Sequence, residues 1–152
     1  MNTKEQFIKE EFISLLQQLA DNEVGLWGVL TPQGMIEHMS DAFANAYGKT
    51  HLPLQTPEAI LPKMRAFALS ETPFKENTKN ALMSEEPAPL RNNSITEAIW
   101  ELEKEMKAFF DYYSANPNAQ NLNPFFGVFN YDEWLHLLYK HVNHHLKQFN
   151  LV

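Results

Sequence analysis

The 152-residue sequence contains no cysteine, only five glycines, and fewer basic than acidic residues, with 12 lysines and arginines against 19 aspartates and glutamates. Without cysteine the chain cannot form a disulfide framework, a zinc ribbon, an iron–sulfur site or a thiol nucleophile. Its net charge of −7 repels phosphate backbones, so we expect no nucleic-acid partner. Cysteine-free composition is typical of the reducing cytosol, and we expect a cytoplasmic location.

Long hydrophobic runs are also missing. No stretch approaches the roughly 18 apolar residues of a transmembrane helix, so we expect no membrane partner. Residues 1–12 alternate lysine and glutamate with apolar residues, a pattern that does not indicate a secretory signal. The length is that of one domain, and we assign residues 1–152 to it.

Four segments have the three- and four-residue hydrophobic spacing of amphipathic helices. Start signals support three of them: Thr31 before Pro32, and the capping-box pairs Ser94–Glu97 and Asn130–Glu133. The predicted helices cover residues 4–20, 32–47, 94–113 and 130–149.

The connection between the second and third helices, residues 49–93, holds six of the nine prolines. A short helix is predicted at 57–70, broken at Pro62, and irregular chain at 71–93. Strand signals are almost absent; the only candidate is 24–30, where the sequence favours a loop. A connection this long fits a crossover. The predicted fold is therefore all-α, a four-helix bundle with a long crossover between helices 2 and 3.

Two histidines interrupt the apolar stripe of the last helix. His141 and His145 stand four residues apart, which places their Cβ atoms about 5–6 Å from each other on one face. Both rings can then reach one metal ion at about 2.0–2.1 Å. Taken alone, the pair is weak evidence, because two half-buried histidines can also donate to backbone carbonyls.

A third histidine, His38, lies on the mostly apolar face of the second helix, in line with Met35 and Ala42. An imidazole that faces the core lowers the free energy of unfolding by roughly several kcal/mol unless a partner binds its ring nitrogens. A divalent cation does so directly, because neutral imidazole is its commonest side-chain ligand. The sequence therefore predicts a metal site formed by His38, His141 and His145.

The other candidates receive lesser roles. His144 is rotated by about 100° from its neighbour, so we expect it to line the pocket edge or to bond a carbonyl. His136 shares a face with Lys140 and is expected in solvent, as is Glu37 on the outer flank of the second helix. A zinc protease would carry glutamate directly after its first histidine, where this chain has Val142, so that function is excluded.

Several segments together resemble the DinB/YfiT-like superfamily. Residues 32–38, PQGMIEH, are similar to the start of its second helix, which carries a metal-binding histidine. One uncharacterised branch has a Pro-x-Phe-Gly loop before a Trp and a doubled histidine followed by Gln, similar to 123–127 (NPFFG), 131–134 (YDEW) and 140–148 (KHVNHHLKQ). The resemblance extends over nearly the whole chain, including 74–78 (FKENT).

The resemblance implies a four-helix bundle, a homodimer, and metal ligands at His38, His141 and His145. Some members of the superfamily are metal-dependent transferases or isomerases that use a low-molecular-weight thiol, and others are described as hydrolases. We therefore expect a metal-dependent enzyme acting on a small-molecule substrate with Zn²⁺, Ni²⁺ or Fe²⁺, as a thiol-dependent S-transferase.

Three alternatives remain open: a metal-dependent hydrolase, a non-catalytic metal- or ligand-binding module of a stress response, and a plain bundle that works through its dimer surface. If the protein is an enzyme, Trp134 and Phe126 are candidates for an aromatic pocket wall, and we expect His144 and Gln148 to line the pocket as well.

Overall fold

A computed structural model describes residues 2–76 and 88–152 of the chain. It is mostly helical, with five helices and one small antiparallel sheet in the described part. Helix α1 consists of three contiguous segments, Thr3–Phe7, the π-helical Ile8–Phe12, and Ile13–Leu16; the other elements are α2 Pro32–Ala46, α3 Leu61–Leu69, α4 Ile95–Ala115, β1 Asn121–Asn123, β2 Gly127–Phe129 and α5 Tyr131–Gln148. No helix among the described residues has the length and apolar character needed to cross a bilayer.

The predicted start signals form their hydrogen bonds, except that the Glu97 carboxylate accepts from the Asn93 amide at 2.9 Å and not from the Ser94 amide that a capping box requires. The Thr31 hydroxyl accepts from the Gly34 amide at 3.0 Å, and Ser94 Oγ accepts from the Glu97 amide at 3.1 Å. At α5 the Asn130 side chain accepts from the Glu133 amide while the Glu133 carboxylate accepts from the Asn130 amide, both at 3.0 Å. These bonds satisfy backbone N–H groups that have no partner inside the helix, and they fix where each helix begins.

Two predicted helices have different limits in the structure. Helix α1 ends at Leu16 rather than Ala20, and α3 covers Leu61–Leu69 rather than 57–70. Pro62 lies in the first turn of α3, so it begins that helix and does not break one. A proline is tolerated there because the amides of the first turn have no intrahelical acceptor. Residues 24–30 form a loop, as predicted.

The two strands were not predicted. Asn121 pairs with Phe129 and Asn123 with Gly127, which joins β1 and β2 into a hairpin. The connecting turn is held by Asn123 Oδ1, which accepts from the Phe125 amide at 2.8 Å and the Phe126 amide at 3.1 Å. Strands of three residues are too short for an alternating hydrophobic pattern to indicate them.

The helices bury one continuous hydrophobic core. Helix α2 packs along α4, α4 also contacts α1, and α5 contacts α1, α2 and α3. The largest fully buried side chains come from all of these helices except α3 and from β2, and they include Phe12, Phe43, Leu102, Phe109, Phe129 and Trp134. Helix α3 adds Ala68 to the same core.

His136 and Lys140 lie under α3, although the sequence placed them in solvent. His136 is 8% exposed and its Nε2 lies 2.8 Å from the Ser70 carbonyl oxygen. Lys140 Nζ donates to the carbonyls of Phe67 and Ser70 at 2.9 and 3.1 Å. The expectation was wrong because the polar face of α5 covers the carbonyl end of α3, where cations and imidazoles find acceptors.

Glu37 is also buried rather than solvated. Its carboxylate accepts hydrogen bonds from the Arg91 and Asn92 amides at 3.0 and 3.1 Å, and from the Gln33 side chain at 3.0 Å. These bonds lower its pKa against the opposing effect of burial. The end of the crossover therefore packs on the flank of α2 that a helical pattern alone assigns to solvent.

Candidate metal centre

Two helices bring the predicted ligands together. His38 lies in the middle of α2, and His141 and His145 lie one turn apart in the second half of α5. These three residues are called the histidine cluster below. His145 is buried, while His38 and His141 are partly exposed. The cluster is therefore set into the helical core but keeps a route to solvent.

The Nε2 atoms of the cluster converge. His141 Nε2 lies 3.0 Å from His38 Nε2 and 3.0 Å from His145 Nε2, and the three ligand atoms lie within 4.8 Å of one another. Three nitrogens at about 2.0–2.1 Å from one tetrahedral ion stand roughly 3.3 Å apart. The cluster thus has the size of a first coordination shell and could bind a metal.

Gln148 determines which nitrogen of His145 is free. Its amide N–H donates to the Trp27 carbonyl at 2.9 Å, which leaves its oxygen 2.8 Å from His145 Nδ1. An amide oxygen can only accept, so Nδ1 carries the proton and Nε2 has its lone pair directed at the cluster. Metal-bound histidines characteristically donate their second ring N–H in this way.

Burial keeps the cluster unprotonated. It lowers the pKa of His38, lowers that of His141 well below its ordinary value, and lowers that of His145 to about 3. For His141 and His145 the neighbouring imidazoles lower the pKa further, because adjacent positive charges repel. A neutral imidazole has one ring nitrogen with a free lone pair, and this is the form that binds a metal ion.

His144 lies beside the cluster without joining it. Its ring centroid is 5.3 Å from that of Trp27, 5.2 Å from that of His145, and 6.0 Å from that of Phe74. Its pKa is lowered, first by burial, with Glu76 opposing the shift. The ring stands among aromatic side chains beside the cluster, and its predicted place at a pocket edge stays a prediction.

The aromatic residues proposed for the pocket wall occupy other places. Trp134 is 1% exposed, packs edge-on against Phe129 with ring centroids 5.7 Å apart, and donates to the Asn121 carbonyl. Phe126 stacks on Phe74, with centroids 6.3 Å apart, and it is Phe74 that contacts His141, at 6.1 Å. Trp134 therefore anchors the hairpin to α5, and Phe126 supports a ring nearer the cluster.

Trp27 and Phe74 were not identified from the sequence. Trp27 belongs to the loop 24–30, whose pattern indicated only irregular chain, and Phe74 opens the segment 74–78, to which no role was assigned. Residues 77 and 78 of that segment lie outside the described residues. A tryptophan between Gly25 and Gly28 is the local signal that could have drawn attention to this loop.

Comparison of the chain with protein-family profiles, with curated proteins and with solved structures gives no match. The fold and the site define a mostly helical protein with a three-histidine cluster that could hold a metal ion. Function is therefore inferred from the chemistry of that cluster and its surroundings.

Proposed function

We propose that the protein binds one divalent transition-metal ion through His38, His141 and His145 and is a metal-dependent enzyme acting on a small molecule. The observation that carries the proposal is the convergence of the three Nε2 atoms, with two separations of 3.0 Å. Three histidines are also the protein ligands of known catalytic zinc sites, which keep a further position open for water or substrate.

The ligand set favours Zn²⁺, Ni²⁺ or Fe²⁺, because imidazole suits all three ions. When bound, such an ion supplies a positive charge that lowers the pKa of a coordinated thiol or water. The chain contributes the three proposed ligands, the Gln148 amide that orients His145, and an aromatic ring, Phe74, beside His141. With no cysteine of its own, the protein requires an external low-molecular-weight thiol to act as an S-transferase.

We further propose that the helices form a four-helix bundle of the DinB/YfiT-like kind. The contacts support it: α2 packs on α4, α4 on α1, α1 on α5, and α5 on α2, which closes a ring of four helices with α3 inside the crossover. The expected homodimer stays a prediction, and sedimentation velocity of the purified chain tests it.

Metal titration tests the proposal. The metal-free chain is titrated with Co²⁺, whose visible absorption reports coordination, and the His141→Ala variant is compared with His51→Ala, which removes an exposed histidine from the crossover. We expect stoichiometric binding by the wild type and by His51→Ala, and loss of binding by His141→Ala. A wild type that takes up no ion contradicts the proposal and leaves a structural histidine cluster.

Two assays on the metal-loaded protein test the reaction class. The first supplies a low-molecular-weight thiol and chlorodinitrobenzene, and the second supplies an activated ester without thiol. Conjugation that disappears in His141→Ala supports the S-transferase. Ester hydrolysis alone supports the hydrolase. Binding without either activity supports a non-catalytic metal-binding module.

A further inference from the structure

Two partly buried aromatic rings, Trp27 and Phe74, lie beside His144 at the edge of the histidine cluster. The Trp27 ring centroid lies 5.3 Å from that of His144, and the Phe74 centroid lies 6.0 Å from that of His144 and 6.1 Å from that of His141. Both side chains keep part of their surface exposed. A molecule that reaches the cluster from solvent at this edge therefore meets aromatic surface.

Trp27 is held in place through the backbone of its loop. The Leu26 amide donates to the Gln148 carbonyl at 2.7 Å, and the Gln148 side chain donates to the Trp27 carbonyl at 2.9 Å. A Cβ at Gly25 would stand 3.2 Å from Gln148 Cγ and 3.5 Å from the Gln148 carbonyl oxygen, so the loop lies close against the end of α5. The glutamine that orients His145 thus also positions the indole.

Phe74 is supported by two other aromatic rings and a lysine. Its ring stacks on Phe126 with centroids 6.3 Å apart and planes at 17°, and it lies 5.8 Å from the Phe67 ring. Lys140 Nζ lies 5.0 Å from the Phe74 centroid and is itself fixed by the carbonyls at the end of α3. The ring is therefore part of a braced aromatic surface.

We propose that Trp27 and Phe74 bind a flat apolar group of the substrate, an aromatic or conjugated ring, beside the histidine cluster. This inference rests on the proposed function, because it places the reacting atom of the same molecule at the cluster. Glu76 contributes negative charge near His144, and the chain has a net charge of −7, so a neutral ring is favoured over an anionic one.

The experiment compares two thiols on the Co²⁺-loaded protein, benzyl mercaptan and ethanethiol. Their affinities are read from the absorption band that appears when thiolate sulfur binds Co²⁺, and the ratio of the two is compared between proteins. The intrinsic difference between the thiols is the same in every protein, so a change in the ratio reports the aromatic surface alone. Loss of one aromatic contact is expected to lower the preference for benzyl mercaptan about threefold to tenfold.

Matched variants make the test specific. Trp27→Ala and Phe74→Ala are expected to lower the ratio, and Phe74→Leu, which keeps an apolar but not a flat side chain, to lower it less. As controls, Trp100→Ala removes an indole that is 63% exposed on α4, and Phe110→Ala removes a partly buried ring. Phe110 is matched to Phe74 because a lysine also lies over its ring, with Lys9 Nζ 4.4 Å from the centroid. Neither control should change the ratio.

Two outcomes overturn the inference, and both are separable from failure of the proposed function. If Co²⁺ binds and the ratio is unchanged in Trp27→Ala and Phe74→Ala, the rings do not bind the substrate. If no Co²⁺ binds, the proposed function fails, and the rings are tested in the metal-free protein with benzyl alcohol. A saturable shift of the Trp27 indole N–H resonance that is lost in Phe74→Ala supports the inference, and no shift overturns it.

Discussion

Replacing Gln148 by methionine should weaken metal binding without removing a ligand. Gln148 Oε1 accepts the His145 Nδ1 proton at 2.8 Å, and this bond directs the Nε2 lone pair at the other two imidazoles. Methionine is of similar length but offers no oxygen acceptor. His145 can then adopt the other tautomer, in which Nε2 carries a proton and cannot bind an ion.

The magnitude follows from the burial of the pair. Loss of a residue that orients a metal-bound histidine typically lowers metal affinity about 10-fold to 100-fold. His145 is 5% and Gln148 3% exposed, so water has little access to replace the missing acceptor, and we expect a loss near the upper end. The assay is competition for Zn²⁺ against a chromophoric chelator at pH 7.5, with Gln6→Met, an exposed helical position, as the control.

A second variant separates orientation of the ring from anchoring of the loop. Gln148→Glu keeps an acceptor for His145 Nδ1 but loses the donor to the Trp27 carbonyl. We expect it to retain most of the metal affinity that Gln148→Met loses. Equal losses in the two variants, or an affinity in Gln148→Met equal to that of the wild type, would refute the role assigned to this hydrogen bond.

Three further predictions concern stability. In the metal-free protein the cluster's pKa values lie below those of the unfolded chain, about 6.5, so the unfolded state binds more protons at acidic pH. The free energy of unfolding should therefore fall below pH 6.5, by up to about 1.4 kcal/mol per pH unit for each histidine. We expect a lower urea midpoint at pH 5.5 than at pH 7.5, and a smaller difference between the two in His141→Gln. Glu105→Gln should destabilise the fold by about 1–3 kcal/mol in urea, because the buried carboxylate accepts from Tyr47 Oη at 2.6 Å and pairs with Lys49; an unchanged midpoint would show that the pair contributes nothing. Gly48→Ala should lower the thermal midpoint, because φ is +81° and a Cβ would stand 2.6 Å from Asn121 Oδ1, and a Gly34→Ala variant provides the comparison at a negative φ.

The helix starts and the shared face of His141 and His145 could be predicted from the sequence because the interactions that decide them are local. Thr31, Ser94 and Asn130 bond amides three residues further on, and a short window of sequence contains both partners. The same holds for the four-residue spacing of His141 and His145, which puts both rings on one side of α5 whatever packs against it. The helical content and the spacing of the two candidate ligands on α5 could therefore be predicted from the sequence.

Contacts between segments that are distant in the sequence could not be predicted from local patterns. His136 and Lys140 are polar residues on a polar face, and they are buried because the end of α3 lies above them and offers carbonyl acceptors. Trp27 and Phe74 are separated from the ligands of α5 by more than sixty residues of sequence, and no periodicity links them to the site.

The sequence by itself determined which side chains can act as ligands and where the helices that bear them begin. Only the tertiary structure decided that His38 meets His141 across 103 positions, that Gln148 sets the tautomer of His145, and that Trp27 packs near His144 and Phe74 near His141. The physical reason is range: capping and helical spacing act over three or four residues, whereas the approach of α2 to α5 depends on how the whole core packs.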